Sequence, residues 1–549
     1  MLFAGMAAFF LSVAAVAQPA PPAPGEPAFS ADAFRAHVVH LADDRLEGRE
    51  AGTPGYDLAA SYVAGQFRAL ALRPAMAGGE WFQPIRFLRY RIVGTPRLSV
   101  TGRNFPRGPS VTFRPTPEAG PVRFEAPAVF AGFGLDAPGQ GADDYEGLDV
   151  RGKIVVILSG TSRNTTRNIP SDVGAHLISS RRRMAAARGA IGLIEISARA
   201  MQRPRTAPAA AAAAGRPGAS WVDDDGRAHS DSPGLRFNAT IDAETARAMF
   251  PGASERLDAA LEQARDGGSP RGFDLGVIVG IDQRSVVAPF SSPNVLAVIP
   301  GTDPALAGEY VLLMAHLDGL GIRDRRTDEA PGTDRIRNGA MDNATGIATL
   351  IEVARAMIAG DDRPRRPILL AAVTAEEIGL LGAGYLARHV PVDGRIVSVV
   401  NLDMPILTYD FQDVTAFGAE HSTMGPIVAR AAARMGVALA ADPLPQQGLF
   451  VRSDHYRFVL EGVPSVFLMT GFANGGRERF QGFLQGAYHS PSDDLAQPFD
   501  WQAGARFVRL NYLIAREIAD GDGPPLWYSD SYFGGAFGGD RRRATRSAQ

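Results

Sequence analysis

Five residues of types that bind cations stand out in this chain: His316, Asp342, Glu377, Asp403 and His489. Two imidazoles and three carboxylates, without sulfur, suit a pair of zinc ions bridged by one carboxylate, each ion taking one histidine and one further acid. Such a pair leaves an open position for a water, lowers the pKa of that water and stabilises charge on an attacked carbonyl. Glu376 stands beside Glu377, so one acid can serve as ligand and the other as base. Taken singly, each residue has a plainer reading. Adjacent acids favour a solvated helix start, Asp342 suits a helix cap, and His489 suits a turn.

Three of the five follow apolar, strand-length runs. EYVLLMA leads into His316-Leu317-Asp318, PILLAAVTA into Glu376-Glu377, and GRIVSVVNL into Asp403. Asp342 lies in GAMDNATG, a small-residue loop whose backbone can approach an ion closely. It precedes ATGIATLIEVARAM, where Ile347, Leu350, Ile351, Ala354 and Met357 recur at helical spacing. His489 lies in GAYHSPSDDL, a tight loop closed by Pro491. With SPNVLAVIPG and GVPSVFLMTG, these strands alternate with helical patterns from Ser292 onward, which predicts a layered α/β domain with ligand groups at the carboxyl ends of its strands.

Upstream, Phe34, Val38 and Leu41 mark a helical face, a second helical run covers Gly55 to Leu72, and a polar Gly-rich turn joins them. Short alternating segments from Phe82 to Phe113 predict strands. Gly120 to Val286 reads as a unit with its own core: APAVFAGFGL, GKIVVILSG and AIGLIEIS as strands, RRRMAAARGA as a helix, and a low-complexity loop over Arg203 to Gly218. His176 and His229 fall in this unit without metal-like spacing and read as ordinary surface or structural residues. The expected organisation is therefore residues 29–119 and 287–520 as one catalytic unit, residues 120–286 as an insertion, and residues 521–549 as a flexible tail, Gly-rich and then basic.

A chain of 549 residues is too long for one ordinary core. Its net charge of -3 gives no electrostatic reason for a nucleic-acid partner. With no cysteine, disulfides, thiolate ligands and a Cys nucleophile are excluded. Residues 1–17 form an apolar run ending in Ala15-Val16-Ala17, followed by a Pro-rich spacer over residues 18–28. This predicts a secretory signal cleaved after Ala17, although no Lys or Arg precedes the run. The expectation is a periplasmic or secreted protein without stable membrane insertion after cleavage.

In combination, HLD, GAMDNATG, TAEE, NLDM and YHSPSDD resemble the M28 family of metallopeptidases, zinc aminopeptidases related to bacterial leucyl aminopeptidases. The resemblance runs from about Phe29 to Ala519. It implies a mixed, mostly parallel sheet sandwiched by helices, with a smaller β-rich insertion over residues 120–286 resembling the protease-associated (PA) domain of many members. It implies two zinc ions as cofactors, one held by His316 and Asp403, the other by Glu377 and His489, with Asp342 between them. Glu376 matches the general base, Asp318 an acid that orients a ligand imidazole, and Tyr488 a hydroxyl that stabilises the oxyanion. A cis peptide between Asp342 and Asn343 is implied as well.

The activity so implied is removal of N-terminal residues from peptide substrates. A carboxypeptidase or dipeptidase of the same family is the competing reading, for which Arg452, Arg477 and Arg479 could meet a substrate carboxylate. A single-zinc glutaminyl cyclase and a non-catalytic, receptor-like binding protein are weaker, because the bridging-type Asp342, all five ligands and the base are present. The charged segment from Leu320 to Asn338 could partly cover the site. Phe472, Phe480 and Phe483 could line a specificity pocket or simply pack. Ser453-Asp454-His455 reads as structural or substrate-side, not metal-ligating.

Overall fold

The computed structural model describes residues 25–161, 167, 169–197, 217–326, 328–360 and 362–546. The expected signal peptide and most of both the Pro-rich spacer and the low-complexity loop lie outside them. Among the described residues the chain builds two nine-stranded sheets and one short two-stranded ribbon.

The first sheet runs in the order Arg73–Pro74, Asn294–Ile299, Ile368–Val373, Glu309–His316, Arg395–Leu402, Ser465–Thr470, Asp413–Phe417 and Ala438–Ala440, with Phe82–Gln83 paired to Asn294–Ile299. The four strands from Ile368–Val373 to Ser465–Thr470 are mutually parallel, and both of their flanking neighbours are antiparallel. These central strands read as unbroken apolar runs because both faces are covered. Within Glu309–His316, Val311, Leu313 and Ala315 enter a core that includes Phe34, Phe67, Leu350 and Phe507, whereas Leu312 and Met314 enter another with Leu369, Leu386 and Phe458. One face is layered by helices Ala31–Leu41, Thr345–Ile358 and Trp501–Asp520, which pack on one another. The other carries Leu381–Arg388 and His455–Leu460. This is the mixed sheet sandwiched by helices that was expected, but it is not mostly parallel. Four of its strand pairings are parallel and four antiparallel, each antiparallel one involving a strand outside the parallel central four.

The second sheet runs in the order Gly218–Trp221, Arg86–Val100, Phe273–Ser291, Gly120–Phe130, Ile154–Leu158, Gly192–Ile196, Asn238–Ile241 and Val111–Phe113, with Arg103–Pro106 on Arg86–Val100. Its extent differs from the expected 120–286. Arg86–Val100 and Val111–Phe113, placed by sequence in the first unit, belong here, because Arg86–Val100 pairs along most of its length with Phe273–Ser291. That pairing joins residues about 190 apart, which a local pattern cannot show.

The tail also departs from expectation. Within residues 521–546, Trp527 and Phe533 are buried, and helix Tyr532–Phe537 sets Phe533 against His176, His421 and Phe450. Two aromatics anchor a stretch whose glycines and arginines suggested fraying. No helix of the described residues is long and apolar enough to cross a membrane.

Candidate metal centre

The parallel strands deliver their carboxyl ends to one place. His316 is the last residue of its strand, Glu376-Glu377 follow Ile368–Val373, and Asp403 follows Arg395–Leu402. Asp342 arrives from the irregular turn ahead of helix Thr345–Ile358, and His489 from the loop after helix Gly476–Gly486. The chain bends sharply at several of these points: Ala375, Met404 and His489 are non-glycine residues with φ of 58°, 43° and 57°. Left-handed backbone at such residues costs about 1–3 kcal/mol and is retained where a side chain must be aimed.

The five candidate ligands form two groups that share Asp342. His316 Nε2 lies 3.2 Å from Asp342 Oδ1 and 3.3 Å from Asp403 Oδ1. His489 Nε2 lies 3.3 Å from Asp342 Oδ2 and 3.3 Å from Glu377 Oε2. Each oxygen of Asp342 thus serves a different imidazole. Each group could hold one cation. The donor set fits: imidazole and carboxylate suit zinc, and three acids packed this closely repel one another without positive charge between them. Burial raises Glu377 well above the usual carboxylate range, and the charge of Asp342 adds to it. Burial works against the imidazolium of His316, but Asp403 and Asp342 outweigh it and hold the pKa well above the ordinary value.

Surrounding groups fix the ligands. Buried Asp318 accepts from the backbone N–H of Glu376 at 3.0 Å and of Glu377 at 3.3 Å, which sets the turn presenting both acids. Its carboxylate is 3.9 Å from His316 Nδ1, and its backbone carbonyl is nearer, at 3.1 Å. The main-chain oxygen therefore orients the imidazole, while the side chain orients the glutamates. The Asp342-Asn343 peptide is cis. Asn343 donates to the Leu402 carbonyl and accepts from the N–H of Gly346 and Met404, tying the Asp342 turn to the Asp403 turn. Ser453 donates to Asp403 and accepts from Asn401 Nδ2 at 2.7 Å, which is the structural one of the two roles considered for it.

Two supporting residues escaped the sequence reading. Asp493 accepts from the N–H groups of Met341 and Asp342 at 2.8 and 3.0 Å, and burial pushes its carboxyl up to about 7. It lies in the YHSPSDD motif, where only the histidine and tyrosine carried an assigned role. Buried Arg49 donates to the carbonyls of Leu317, Gly339, Leu41 and Asn338, clamping the loops that carry His316 and Asp342. An arginine in a Gly-rich turn gave no signal.

The centre opens into a cavity of about 310 Å³ lined by Glu376, Tyr488, Arg452, Ser453 and an apolar wall of Met404, Leu449, Phe467 and Met469 together with the ligands. Burial raises Glu376 well above the usual carboxylate range. Among the described residues nothing hydrogen-bonds its carboxylate oxygens, so they remain available for a proton. The Tyr488 ring stacks on His489 with centroids 3.7 Å apart, and burial followed by the charge of Asp342 pushes its hydroxyl pKa up, keeping it a neutral donor. Phe480 and Phe483 are packed into the core, and neither they nor Phe472 line the cavity. Nor do the described residues of Leu320–Asn338: that segment folds back through an Ile322–Ile336 bridge and is pinned by Gly48 and Gly321.

His176 and His229 are structural. His176 is buried against Tyr456, Phe533 and Phe537, and His229 stacks on Trp221 and pairs with Asp231. A further histidine–carboxylate group, Asp172, Glu420 and His421, joins the two sheets' units, with His421 paired to Asp172.

The layered α/β fold thus carries a histidine–carboxylate double centre at its strand ends, an arrangement suited to metal-dependent hydrolysis. Residues 294–514 match the model of Peptidase family M28, so this part of the chain is similar to that family. A probable zinc metalloprotease of Leptosphaeria maculans is 36% identical over 132 residues, 23% of this chain and 28% of that protein. Leucine aminopeptidase 1 of Trichophyton rubrum is 28% identical over 120 residues, 21% of this chain and 29% of that protein. The chain thus matches less than a third of the length of these relatives. The aminopeptidase from Aneurinibacillus sp. strain AM-1 shares the fold, with a TM-score of 0.50 at 18% identity over 90% of this chain and 95% of that one.

Proposed function

We propose that the protein is an exported di-zinc aminopeptidase. The observation that carries this reading is the sharing of Asp342, with one oxygen toward each histidine at 3.2–3.3 Å. His316 and Asp403 would hold one ion, Glu377 and His489 the other, and Asp342 would lie between. When bound, the ions would activate a water and polarise the substrate carbonyl.

The chain's own groups account for the proton movements. Glu376 takes the proton of the attacking water on its unoccupied carboxylate and returns it to the leaving amine. Tyr488, kept neutral, donates to the developing oxyanion. Asp318 holds the Glu376 backbone so that its carboxylate faces the cavity, and the apolar wall receives a substrate side chain. The names of the relatives, which include a leucine aminopeptidase, support an exopeptidase acting on peptides. The second sheet is read as a PA-type insertion, and residues 1–17 as the export signal.

Metal analysis combined with hydrolysis of leucine p-nitroanilide and its N-acetyl form tests this reading. About two equivalents of zinc and turnover confined to the free amine are expected. Turnover confined to the acetylated substrate would overturn the aminopeptidase assignment.

A further inference from the structure

Among the described residues lining the metal-centre cavity, Arg452 is the one permanent cation. It is exposed, and among the described residues its guanidinium has neither an ion pair nor a hydrogen bond. Nearby arginines are committed elsewhere. Arg457 bonds Asp231 and the Gly379 carbonyl, Arg388 pairs with Glu461, and Arg337 donates to the carbonyls of Leu320 and Gly321. The other two arginines considered for a substrate carboxylate do not line the cavity, and Arg477 lies over the Phe472 ring.

The position of Arg452 is fixed although its guanidinium is free. It immediately precedes Ser453, which is bonded to Asp403 and Asn401, and follows the short turn Leu449–Val451. Arg452 therefore stands at the Asp403 end of the cavity, beside the apolar wall of Met404, Leu449, Phe467 and Met469. A group that fills this space needs a short apolar stem and an anionic tip. A planar guanidinium with open donors is suited to bidentate binding of a carboxylate. The other charged groups of the lining are acids and histidines of the metal centre, and none of these carboxylates pairs with Arg452.

We propose that Arg452 is a specificity residue selecting substrates that carry a carboxylate close to the scissile bond. The proposal rests on the peptidase reading above and narrows its substrate class. Two sources offer this chemistry: the side chain of an acidic residue seated against the apolar wall, or the free α-carboxylate of a dipeptide.

Paired substrates that differ only in that carboxylate separate the sources. Glutamyl and glutaminyl p-nitroanilides test the side chain, and Leu-Gly and Leu-Gly amide test the α-carboxylate. In the wild type, kcat/KM is expected to favour the acid over the amide about tenfold or more in one of the two pairs, chiefly through KM. Arg452→Gln should bring that ratio toward one, Arg452→Lys should restore part of it, and Arg452→Glu should invert it. Ratios near one in both pairs would overturn the proposal, as would a parallel loss on all four substrates with the wild-type ratio intact. Calorimetric binding of glutamate and glutamine hydroxamates and of the two dipeptide forms to the zinc-loaded protein gives the same comparison without turnover. Absence of turnover with a preserved acid preference would count against the aminopeptidase reading alone, whereas turnover without preference would count against Arg452 alone.

Discussion

The two sheets are of similar size, yet only one presents chemistry. Each has a partly buried carboxylate in a turn beside it, and in both burial raises the pKa. Glu376, after a parallel strand of the first, is raised well above its usual range, and Asp144, after the antiparallel ribbon strand Ala142–Asp143 next to the second, to about 6. The difference lies in what meets the oxygens. Asp144 Oδ2 accepts from the N–H groups of Phe133 and Leu135, so it closes a loop beside the second sheet. Among the described residues the Glu376 carboxylate meets no backbone donor, and the work of holding the turn passes to Asp318. Burial alone therefore does not mark a functional acid. A buried acid whose oxygens are left open, with a neighbouring acid bearing the structural load, does.

Four experiments probe that contrast. The largest effect is expected from Glu376→Gln, which keeps shape and removes the proton acceptor: kcat should fall by about 10²–10⁴ while metal content and melting temperature stay near wild type. If Asp144→Asn lowered kcat comparably without loss of stability, the contrast between the two acids would be wrong. Phe130, buried against Phe273 with ring centroids 4.9 Å apart, tests the second sheet as scaffold. Phe130→Ala should cost about 3–5 kcal/mol in denaturant unfolding and leave zinc bound per folded molecule unchanged.

Asp493→Asn leaves one oxygen to meet the N–H groups that position Asp342. Zinc affinity should drop about 10–100-fold, read by competition with a chromogenic chelator; an unchanged affinity would remove Asp493 from the support of the centre. The smallest effect concerns the junction of the two units, where burial lowers the His176 imidazole to about 4. The unfolded chain gains this proton near pH 6.5, so the contribution is complete above that pH and is lost as pH falls toward 4. Between pH 7 and pH 4.5 wild type should lose about 1–2 kcal/mol more than His176→Gln, measured by thermal unfolding across pH.

Much of the first sheet was legible because its strands are buried on both sides. EYVLLMA, PILLAAVTA and GRIVSVVNL can be read as strands without knowing their neighbours, and the polar residue after each run is conspicuous. DVTAF, the strand Asp413–Phe417, was not legible, being short and partly polar. Nor was Arg86–Val100 assigned to its sheet, since its partner is Phe273–Ser291 far along the chain. The tail was misjudged because burial of Trp527 and Phe533 depends on a surface supplied by His176, His421 and Phe450.

Residue type and order alone determined the donor set: two imidazoles, three carboxylates and a spare acid at the ends of strands and in small-residue loops, a local chemical property. Tertiary structure decided which oxygen of Asp342 serves which histidine, that Asp493 and Arg49 hold the loops, and that Arg452 rather than Arg477 or Arg479 faces the cavity. Those assignments depend on directions of side chains brought together across up to several hundred residues, and direction is set by packing and backbone turns that no local pattern encodes.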